Sequence, residues 1–407
     1  MKPLIISICL MLAVAPAAAS TSWITAGDTA YLKIRKIQPG AKVRGTRAAG
    51  IAGTEKIHLI EVRTKELDKL ADALHRELRH CGGFMYHATE ADGRRALAMA
   101  DAVPPSSLTR PAYTISNQAI VTALLPQMQD TNIRDTITGL TGFANRYYTS
   151  APGIAASNWL KEKWGALANG RDHISIAQYA HLRYDQRSVI ATIEGSDKAS
   201  EVIVLGAHLD SINMLGTRDT TKAPGADDDA SGVAGLTEVL RVIAATGYKP
   251  RRTIKLIAYA AEEVGLRGSQ EIAQEYKKNA TNVVGVMQLD MTNFKGSDKD
   301  VYIFSDYTSE PQNQFLVKLL NTYLPTLTVG YDKCGYACSD HASWNAQGYA
   351  TSMPFEAEIR KDNPMIHTSN DTLANSGSQA AHALKFARLA AAYAVELGSE
   401  GAGAAKK

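Results

Sequence analysis

Residues 202–232 place several potential metal ligands within one short stretch. An apolar strand pattern leads into HLD (208–210), and a Gly/Pro turn then leads into DDD (227–229). Because side chains alternate along a strand, His208 and Asp210 should point to the same side, where the carboxylate can orient the imidazole. Three consecutive carboxylates need a cation, hydrogen-bond donors or solvent to offset their repulsion. With a histidine upstream and a helical pattern downstream, we favour a metal site over a solvated acidic loop.

Further candidate ligands occur later in the chain. Glu262 and Glu263 come directly after a strand pattern, Asp290 ends another, and His367 lies in a polar loop. Taken singly, Asp290 could be a helix-capping residue and His367 could be incidental. Together with His208, however, they are the nitrogen and oxygen donors that suit zinc, and one carboxylate can bridge two ions. The composition of this set indicates a metal centre.

Strand and helix patterns alternate from residue 116 onward. The predicted strands are 174–179, 188–194, 202–207, 253–260 and 283–289. The predicted helices are 120–125, 133–148, 155–168, the segment from Ser231 to a stop at Gly247, and 268–278. This alternation predicts an α/β domain with a mostly parallel central sheet flanked by helices on both faces. Ligand sites in such sheets lie at the carboxyl ends of the strands, where His208, Glu262 and Asp290 fall.

A basic front segment precedes this domain. Residues 21–110 contain 15 Lys and Arg against 10 Asp and Glu, whereas residues 111–407 contain 28 against 31. The strand-like pieces WITAG, AYLKIRKI and KIHLIEVR and a helical pattern from Thr64 to His80 predict a small α+β unit. A Pro-Pro-Ser-Ser run at 104–107 is typical of a linker that proteases cut. We therefore predict an inhibitory propeptide, with a permanent N-terminal domain as the alternative.

The first residues have the pattern of a secretory signal peptide. Lys2 precedes an apolar run that ends in three alanines at 17–19, and the run is short for a membrane anchor. We expect a soluble, secreted or periplasmic bacterial protein with no membrane partner. The predicted division is a signal peptide (1–19), a propeptide (20–108), a catalytic domain (109–400) and a disordered tail (401–407).

The remaining cysteines and histidines carry less information. Cys334 and Cys338 could close a tight loop in an oxidising compartment, and their spacing does not fit a CxxC motif. Histidines outside the candidate ligands have no partner in the sequence and are set aside: His58, His75, His80, His87, His173, His181, His341 and His382. No phosphate loop or basic aromatic stripe is present, so we expect no nucleic-acid partner.

Seven motifs resemble those of the M28 family of zinc aminopeptidases, of the secreted bacterial leucyl aminopeptidase type. They are GAHLDS (206–211), APGADDDASG (223–232), AYAAEEVGLRGSQ (258–270), QLDMTN (288–293), CGYACSDHASW (334–344), MPFE (353–356) and IHTSNDTLANS (366–376). The similarity covers residues 111–397, and the motifs are long, ordered and mutually spaced. The resemblance implies a zinc-peptidase fold of the phosphorylase/hydrolase-like type.

The resemblance also implies a ligand set for two zinc ions per chain. His208 and Asp290 would bind one ion, and Glu263 and His367 would bind the other. Asp227 would bridge the two ions. A cis peptide bond is implied after Asp227.

Other roles follow from the same resemblance. Glu262 matches the general base on a water that bridges the two zinc ions, and Asp210 matches the residue that orients His208. Cys334 and Cys338 match a disulfide. The residues that would form an apolar substrate pocket are Met291, Phe304, Tyr336, Met353, Phe355 and Ile366. Ile359 and Asp362 stand where related proteins have aromatic residues, which leaves the residue preference open.

The implied function is that of a monomeric aminopeptidase, made as a zymogen, that removes leucine or another large apolar residue from peptides with a free N-terminus. A carboxypeptidase of the same fold would need an arginine cluster, and only Arg360 lies near the implied pocket. A glutaminyl cyclase of the same fold is disfavoured because all five ligands of a two-metal site are present. A non-catalytic binding protein is disfavoured because Glu262 and the ligands are retained.

Overall fold

The computed structural model describes residues 21–49, 55–78, 83–99 and 111–400. The predicted signal peptide, the Pro-Pro linker, the boundary near residue 108 and the tail from 401 lie outside these residues. Among the helices of the described part, none is long and apolar enough to cross a bilayer.

The front segment folds as an antiparallel sheet with helices packed on it. Its elements are β1 (Thr21–Gly27), α1 (Asp28–Ile37), β2 (Lys42–Ala49), β3 (Glu55–Arg63), α2 (Leu67–Leu78), β4 (Phe84–His87) and α3 (Glu90–Met99). The strand order is β2-β3-β1-β4, and each neighbouring pair is antiparallel. A single 3₁₀ turn at Thr64–Glu66 leads into α2.

The segment AYLKIRKI is helical, so its prediction as a strand is wrong. Ala30 and Ile34, four residues apart, are buried on one side of α1, whereas Leu32 is 60% exposed. The two isoleucines favour a strand locally, but a strand would place Leu32 on the same face as Ala30 and Ile34, whereas a helix buries the outer two and exposes Leu32. Packing against the sheet therefore decides the conformation.

The main domain contains two 3₁₀ turns, at Leu125–Gln127 and Leu373–Ser376, and the remaining α-helices and strands. They are α4 (Gln118–Leu124), α5 (Asp130–Thr141), α6 (Ala151–Ala168), β5 (Ile174–Tyr179), β6 (Ser188–Ile193), β7 (Lys198–His208), α7 (Ala230–Thr246), β8 (Arg252–Tyr259), α8 (Arg267–Lys278), β9 (Asn282–Gln288), β10 (Val301–Phe304), α9 (Glu310–Tyr323), β11 (Val329–Asp332), α10 (His341–Asn345), β12 (Thr351–Ser352), β13 (Pro354–Phe355) and α11 (Ala381–Gly398). The predicted helix 133–148 ends at Thr141, because Tyr147 and Tyr148 instead pack against the front segment.

A six-stranded sheet in the order β12-β9-β7-β8-β6-β5 forms the centre of this domain. The pairs β12/β9, β9/β7 and β7/β8 are parallel, and β6 runs antiparallel to both of its neighbours. Alternate residues of β7 pack on opposite faces, with Ile203 and Leu205 against α7 and α11 and with Val202 and Val204 against α8. The prediction of a mostly parallel sheet covered on both faces is confirmed.

A smaller sheet lies beside the predicted pocket. Its strand order is β11-β10-β13, and it contains Phe304 and Phe355. The rings of these two residues lie 4.7 Å apart between centroids. The small sheet thus places two of the predicted pocket residues in contact.

Candidate metal centre

Three neighbouring strands bring the predicted ligands to one edge of the central sheet. His208 is the last residue of β7, Glu262 and Glu263 follow β8, and Asp290 follows β9. Because β8, β7 and β9 are adjacent and parallel, their carboxyl ends lie side by side. All four side chains are almost completely buried.

Asp228 lies between the two predicted histidine ligands. Its Oδ1 atom is 2.9 Å from His208 Nε2, and its Oδ2 atom is 2.8 Å from His367 Nε2. Asp290 Oδ1 lies 3.4 Å from His208 Nε2, and Glu263 Oε2 lies 3.2 Å from His367 Nε2. Two groups of donors therefore meet at the Asp228 carboxylate: His208 with Asp290, and His367 with Glu263.

The shared carboxylate belongs to Asp228, one residue after the predicted bridge at Asp227. Asp227 Oδ1 instead accepts a hydrogen bond from the Asn293 backbone N–H at 2.9 Å. The cis peptide bond is likewise found between Asp228 and Asp229 and not after Asp227. The expected position of the cis peptide bond is therefore wrong by one residue, and the carboxylate that lies between the two histidines is that of Asp228.

Hydrogen bonds to the flanking aspartates explain this register. Asp229 caps α7, since its Oδ1 accepts the Gly232 N–H at 2.8 Å, and its Oδ2 accepts the His208 N–H at 2.9 Å. Asp371 accepts the backbone N–H groups of Asp227 and Asp228 at 3.2 and 3.1 Å. Asp229 lies near His208 and Asp290, with ligand atoms of the three within 4.8 Å of one another, but both of its oxygens accept backbone N–H groups. The Asp228 carboxylate is the one whose two oxygens lie within 3 Å of the two histidines.

Arg146, which the sequence analysis did not single out, holds the backbone around this loop. Its side chain is fully buried, and its Nε and Nη2 atoms donate to the carbonyls of Leu209 and Gly225 at 2.8 and 2.9 Å. Nη1 donates to the carbonyl of Pro224. A buried guanidinium also offsets part of the negative charge of the nearby carboxylates.

Asp210 orients neighbouring groups through different atoms from those predicted. Its backbone carbonyl accepts from His208 Nδ1 at 3.1 Å, whereas its carboxylate is 3.7 Å from that nitrogen. The carboxylate accepts the backbone N–H groups of Glu262 and Glu263 at 2.9 and 3.1 Å. Asp210 therefore fixes the His208 ring so that Nε2 faces Asp228, and it also fixes the start of the glutamate pair.

Three residues at this edge of the sheet have left-handed backbone conformations. Ala261, Met291 and His367 have φ angles of 58°, 54° and 57°. Such conformations cost non-glycine residues about 1–3 kcal/mol each and persist where the surrounding structure imposes them. Here they turn the chain directly before Glu262 and directly after Asp290, which aims both carboxylates into the centre.

The donor atoms fit a pair of cations. Several buried atoms have no hydrogen-bond partner among the described residues: His208 Nε2, both Asp228 oxygens, both Asp290 oxygens, Glu263 Oε1, Glu262 Oε2 and His367 Nε2. An unsatisfied buried polar group costs about 1–3 kcal/mol, and more when it is charged. Ligation of cations would remove this cost, and a set of imidazole and carboxylate donors is the chemistry that zinc prefers.

The electrostatics of the centre lead to the same conclusion. Burial alone would lower the pKa of His367, but the carboxylates of Glu263 and Asp228 outweigh it and raise the pKa to about 10. Burial raises the pKa of Glu262 well above its usual range. Burial would also raise the pKa of Asp228, but His208 and His367 hold it well below the usual range. The buried carboxylates therefore make this centre an environment that favours positive charge.

An apolar recess adjoins Asp290. The predicted pocket residues Met291, Phe304, Tyr336, Met353, Phe355 and Ile366 are all buried in one cluster. Ile359 packs against this cluster, and Asp362 lies in the wall of the recess. The predicted bond between Cys334 and Cys338 is present at its edge. The structure thus brings together every residue assigned to the pocket.

His75 lies in the same centre, although the sequence analysis set it aside. It belongs to α2 of the front segment, is fully buried, and places Nε2 3.1 Å from Glu263 Oε2. The helical spacing of the sequence could have indicated this burial. The apolar side of α2 consists of Leu67, Leu70, Ala71 and Leu74, and His75 lies on the same side. A histidine on the buried side of a helix has to find a polar partner in the interior.

The chain is similar to known proteins in family, in sequence and in fold. A model of peptidase family M28 matches residues 188–394. The chain is 35% identical over 305 residues to a probable leucine aminopeptidase of Arthroderma otae, covering 72% of this chain and 82% of that protein. The crystal structure of the LapA aminopeptidase of Legionella pneumophila has a TM-score of 0.77 at 30% identity, covering 94% of this chain and 100% of that chain.

The fold is also similar to that of an enzyme of another class. A glutaminyl cyclase from Porphyromonas gingivalis has a TM-score of 0.54 at 16% identity, covering 66% of this chain and 99% of that chain. This likeness concerns the fold alone. The family match, by contrast, includes the strand ends with His208, Glu262, Glu263 and Asp290, and the loop with His367.

Proposed function

Because the chain belongs to peptidase family M28, we propose that it is a di-zinc aminopeptidase that removes the N-terminal residue from peptides. The observation that carries this proposal is the convergence of two groups of buried, unsatisfied donors on the Asp228 carboxylate. Similarity to proteins named aminopeptidases supports the substrate class.

In this proposal, His208 and Asp290 bind one zinc ion, and Glu263 and His367 bind the other. Asp228 takes the bridging position because its two oxygens face the two histidines separately. Zinc would supply Lewis-acid polarisation of the scissile carbonyl and a lowered pKa of water. The site also offers a recess next to Asp290 for the side chain that precedes the scissile bond.

Glu262 is the proposed general base. Its backbone N–H is held by Asp210, and its Oε2 atom has no hydrogen-bond partner among the described residues. A carboxylate that is fixed in position and free to accept can take a proton from the attacking water and return it to the leaving amine. Its neighbour Glu263 faces His367 instead, so the two glutamates have different roles.

The recess favours leucine and other large apolar residues in the proposed enzyme. Met291, Phe304, Met353 and Phe355 supply an almost entirely apolar lining. Discrimination by such a lining is modest, because one methylene group contributes about 1–3 kcal/mol. We therefore expect only a moderate preference for leucine over valine, which is one methylene smaller, and not strict specificity.

A direct assay tests the activity. The full chain, nicked by limited proteolysis, should hydrolyse leucine p-nitroanilide, and its N-acetylated form should be inert. The kcat/KM for leucine should exceed that for valine, which is one methylene smaller, about 10–200-fold. A chelator should abolish hydrolysis and zinc should restore it. Cleavage of a peptide with a blocked N-terminus would favour a carboxypeptidase, and cyclisation of an N-terminal glutamine with release of ammonia would favour a cyclase.

We also propose that the chain is exported and processed as a zymogen. Support comes from the signal-peptide pattern of residues 1–19 and from the Pro-Pro run before residue 108. N-terminal sequencing of the protein from the medium or periplasm should give one start near Ser20 and, after maturation, one near residue 108. A single species that retains Met1 would contradict both steps.

A further inference from the structure

The front segment inserts one histidine into the proposed metal centre. His75 Nε2 lies 3.1 Å from Glu263 Oε2, and the His75 and His367 rings meet edge to face with centroids 4.4 Å apart. One donor atom from each of His75, Glu263 and His367 lies within 4.8 Å of the others, and all three residues are buried. The main domain supplies Glu263 and His367, and the front segment supplies His75.

The hydrogen bond on the far side of the His75 ring determines which atom faces the centre. His75 Nδ1 lies 2.7 Å from the backbone carbonyl of Ala71, which can only accept a hydrogen bond. Nδ1 therefore carries a hydrogen, and Nε2 is the ring atom that faces the Glu263 carboxylate. At this distance the two atoms need either a proton or a metal ion between them. The hydrogen bond is also the usual device that orients a metal-binding histidine.

The distances match those between ligands of one zinc ion. With bonds of about 2.0–2.1 Å and tetrahedral angles, neighbouring donors of zinc lie about 3.3 Å apart. The separations here are 3.1 Å for His75 to Glu263, 3.2 Å for Glu263 to His367 and 2.8 Å for His367 to Asp228. Asp228, Glu263 and His367 provide three protein ligands, which is the number in a catalytic zinc site with one open position.

We propose that His75 is the fourth ligand of this second site and closes it in the full-length chain. This inference rests on the proposed di-zinc centre and adds a residue to it. With His75 bound, this site would have no open position for water or for a donor atom of a substrate. The front segment would thus inhibit through a specific ligand as well as by covering the site.

Contacts on both sides of His75 fix α2 against the main domain. Leu70 and Leu74 belong to one buried cluster with Tyr148, Ala261 and Val264 of the main domain. About two helical turns before the histidine, Asp68 forms an ion pair with Arg267 at 2.9 Å. Directly after it, Arg76 donates to the carbonyl of Met214 at 3.2 Å. The cluster includes the segment directly before Glu262, so docking of α2 and placement of His75 are coupled.

The test replaces His75 in the intact chain loaded with Co²⁺, whose visible absorption reports its ligands. His75→Leu keeps the side-chain bulk, and His75→Gln keeps a polar side chain in case the leucine variant does not fold. His87→Leu is the matched control, because His87 is another buried histidine of the front segment and bonds to Thr25 Oγ1 at 2.9 Å. Both His75 variants should shift the cobalt spectrum, and the control should not.

Added ligands and activity provide two further readouts. Free leucine, but not N-acetylleucine, should perturb the cobalt spectrum of the His75 variants and leave that of the intact wild type unchanged. If His75 closes the site in over about 90% of the wild-type chains, the zinc-loaded intact variants should hydrolyse leucine p-nitroanilide about tenfold faster than the intact wild type, or more. Nicking should then increase their activity less than that of the wild type.

Two outcomes separate this inference from the proposed function. Cobalt spectra that are the same in wild type and His75 variants, with equal rates for the intact chains, would overturn the His75 ligand and leave the di-metal centre standing. Failure of every intact chain to take up cobalt or zinc would overturn the di-metal centre and His75 ligation together.

Discussion

Replacement of Glu262 by glutamine should lower kcat about 10²–10⁴-fold, the usual contribution of a positioned acid or base. The amide has nearly the same shape and keeps the backbone N–H that Asp210 accepts at 2.9 Å. It cannot accept a proton from water at neutral pH. Because Glu262 is not among the proposed ligands, the variant should still bind two zinc ions and should keep a KM close to that of the wild type.

The matched substitution is Glu263→Gln at the next position. Glu263 faces His367 at 3.2 Å, so its loss should weaken metal binding, and added zinc should recover part of the activity. Metal content, measured by atomic emission, and kcat against zinc concentration distinguish the two variants. Full activity of Glu262→Gln at saturating zinc would show that another group moves the proton. Loss of both zinc ions from this variant would make Glu262 a ligand.

The sequence allowed prediction of the central sheet and of the place of the site. Strands 202–207, 253–260 and 283–289 were expected from local apolar patterns, and a parallel arrangement alone brings His208, Glu262 and Asp290 together. The structure agrees with these strands to within a few residues. Local patterns suffice here because burial on both faces leaves little ambiguity in a parallel strand.

Contacts between distant parts of the chain could not be predicted in the same way. Which of the three aspartates faces the histidines depends on two sets of hydrogen bonds: Asp371 accepts the Asp228 N–H, and Asp229 accepts the N–H groups of Gly232 and His208. Three identical side chains in a row give no sign of these bonds. His75 had no partner in the sequence, because its partner Glu263 is 188 positions away. For the aspartates, tertiary hydrogen bonds decide which carboxylate faces the two histidines. For His75, a local bond to the Ala71 carbonyl orients the ring, and the docking of α2 brings it to Glu263.

The proposed bridging residue is tested by comparing the zinc affinity of Asp228→Asn with that of Asp227→Asn, where we expect the second large effect. The Asp228 variant replaces one of the two oxygens between His208 and His367 by an amide NH₂. Loss of a residue that only supports a metal ligand lowers metal affinity about 10–100-fold. Because Asp228 is itself a proposed ligand, the zinc affinity of this variant should fall by more than that. Hydrolysis of leucine p-nitroanilide should fall with it and recover only at high zinc concentration.

The Asp227 variant should behave differently, because Asp228 is the residue that places its two oxygens at the two histidines. Burial also raises the pKa of Asp227, which favours an uncharged side chain at this position. Asparagine can also accept the Asn293 N–H that Asp227 accepts at 2.9 Å. Zinc titration against a chromophoric chelator should therefore give near wild-type affinity for Asp227→Asn and greatly weakened affinity for Asp228→Asn. The reverse order would return the bridge to Asp227. Equal loss in both variants would mean that the loop responds as a unit, since Asp371 holds the backbone of both residues.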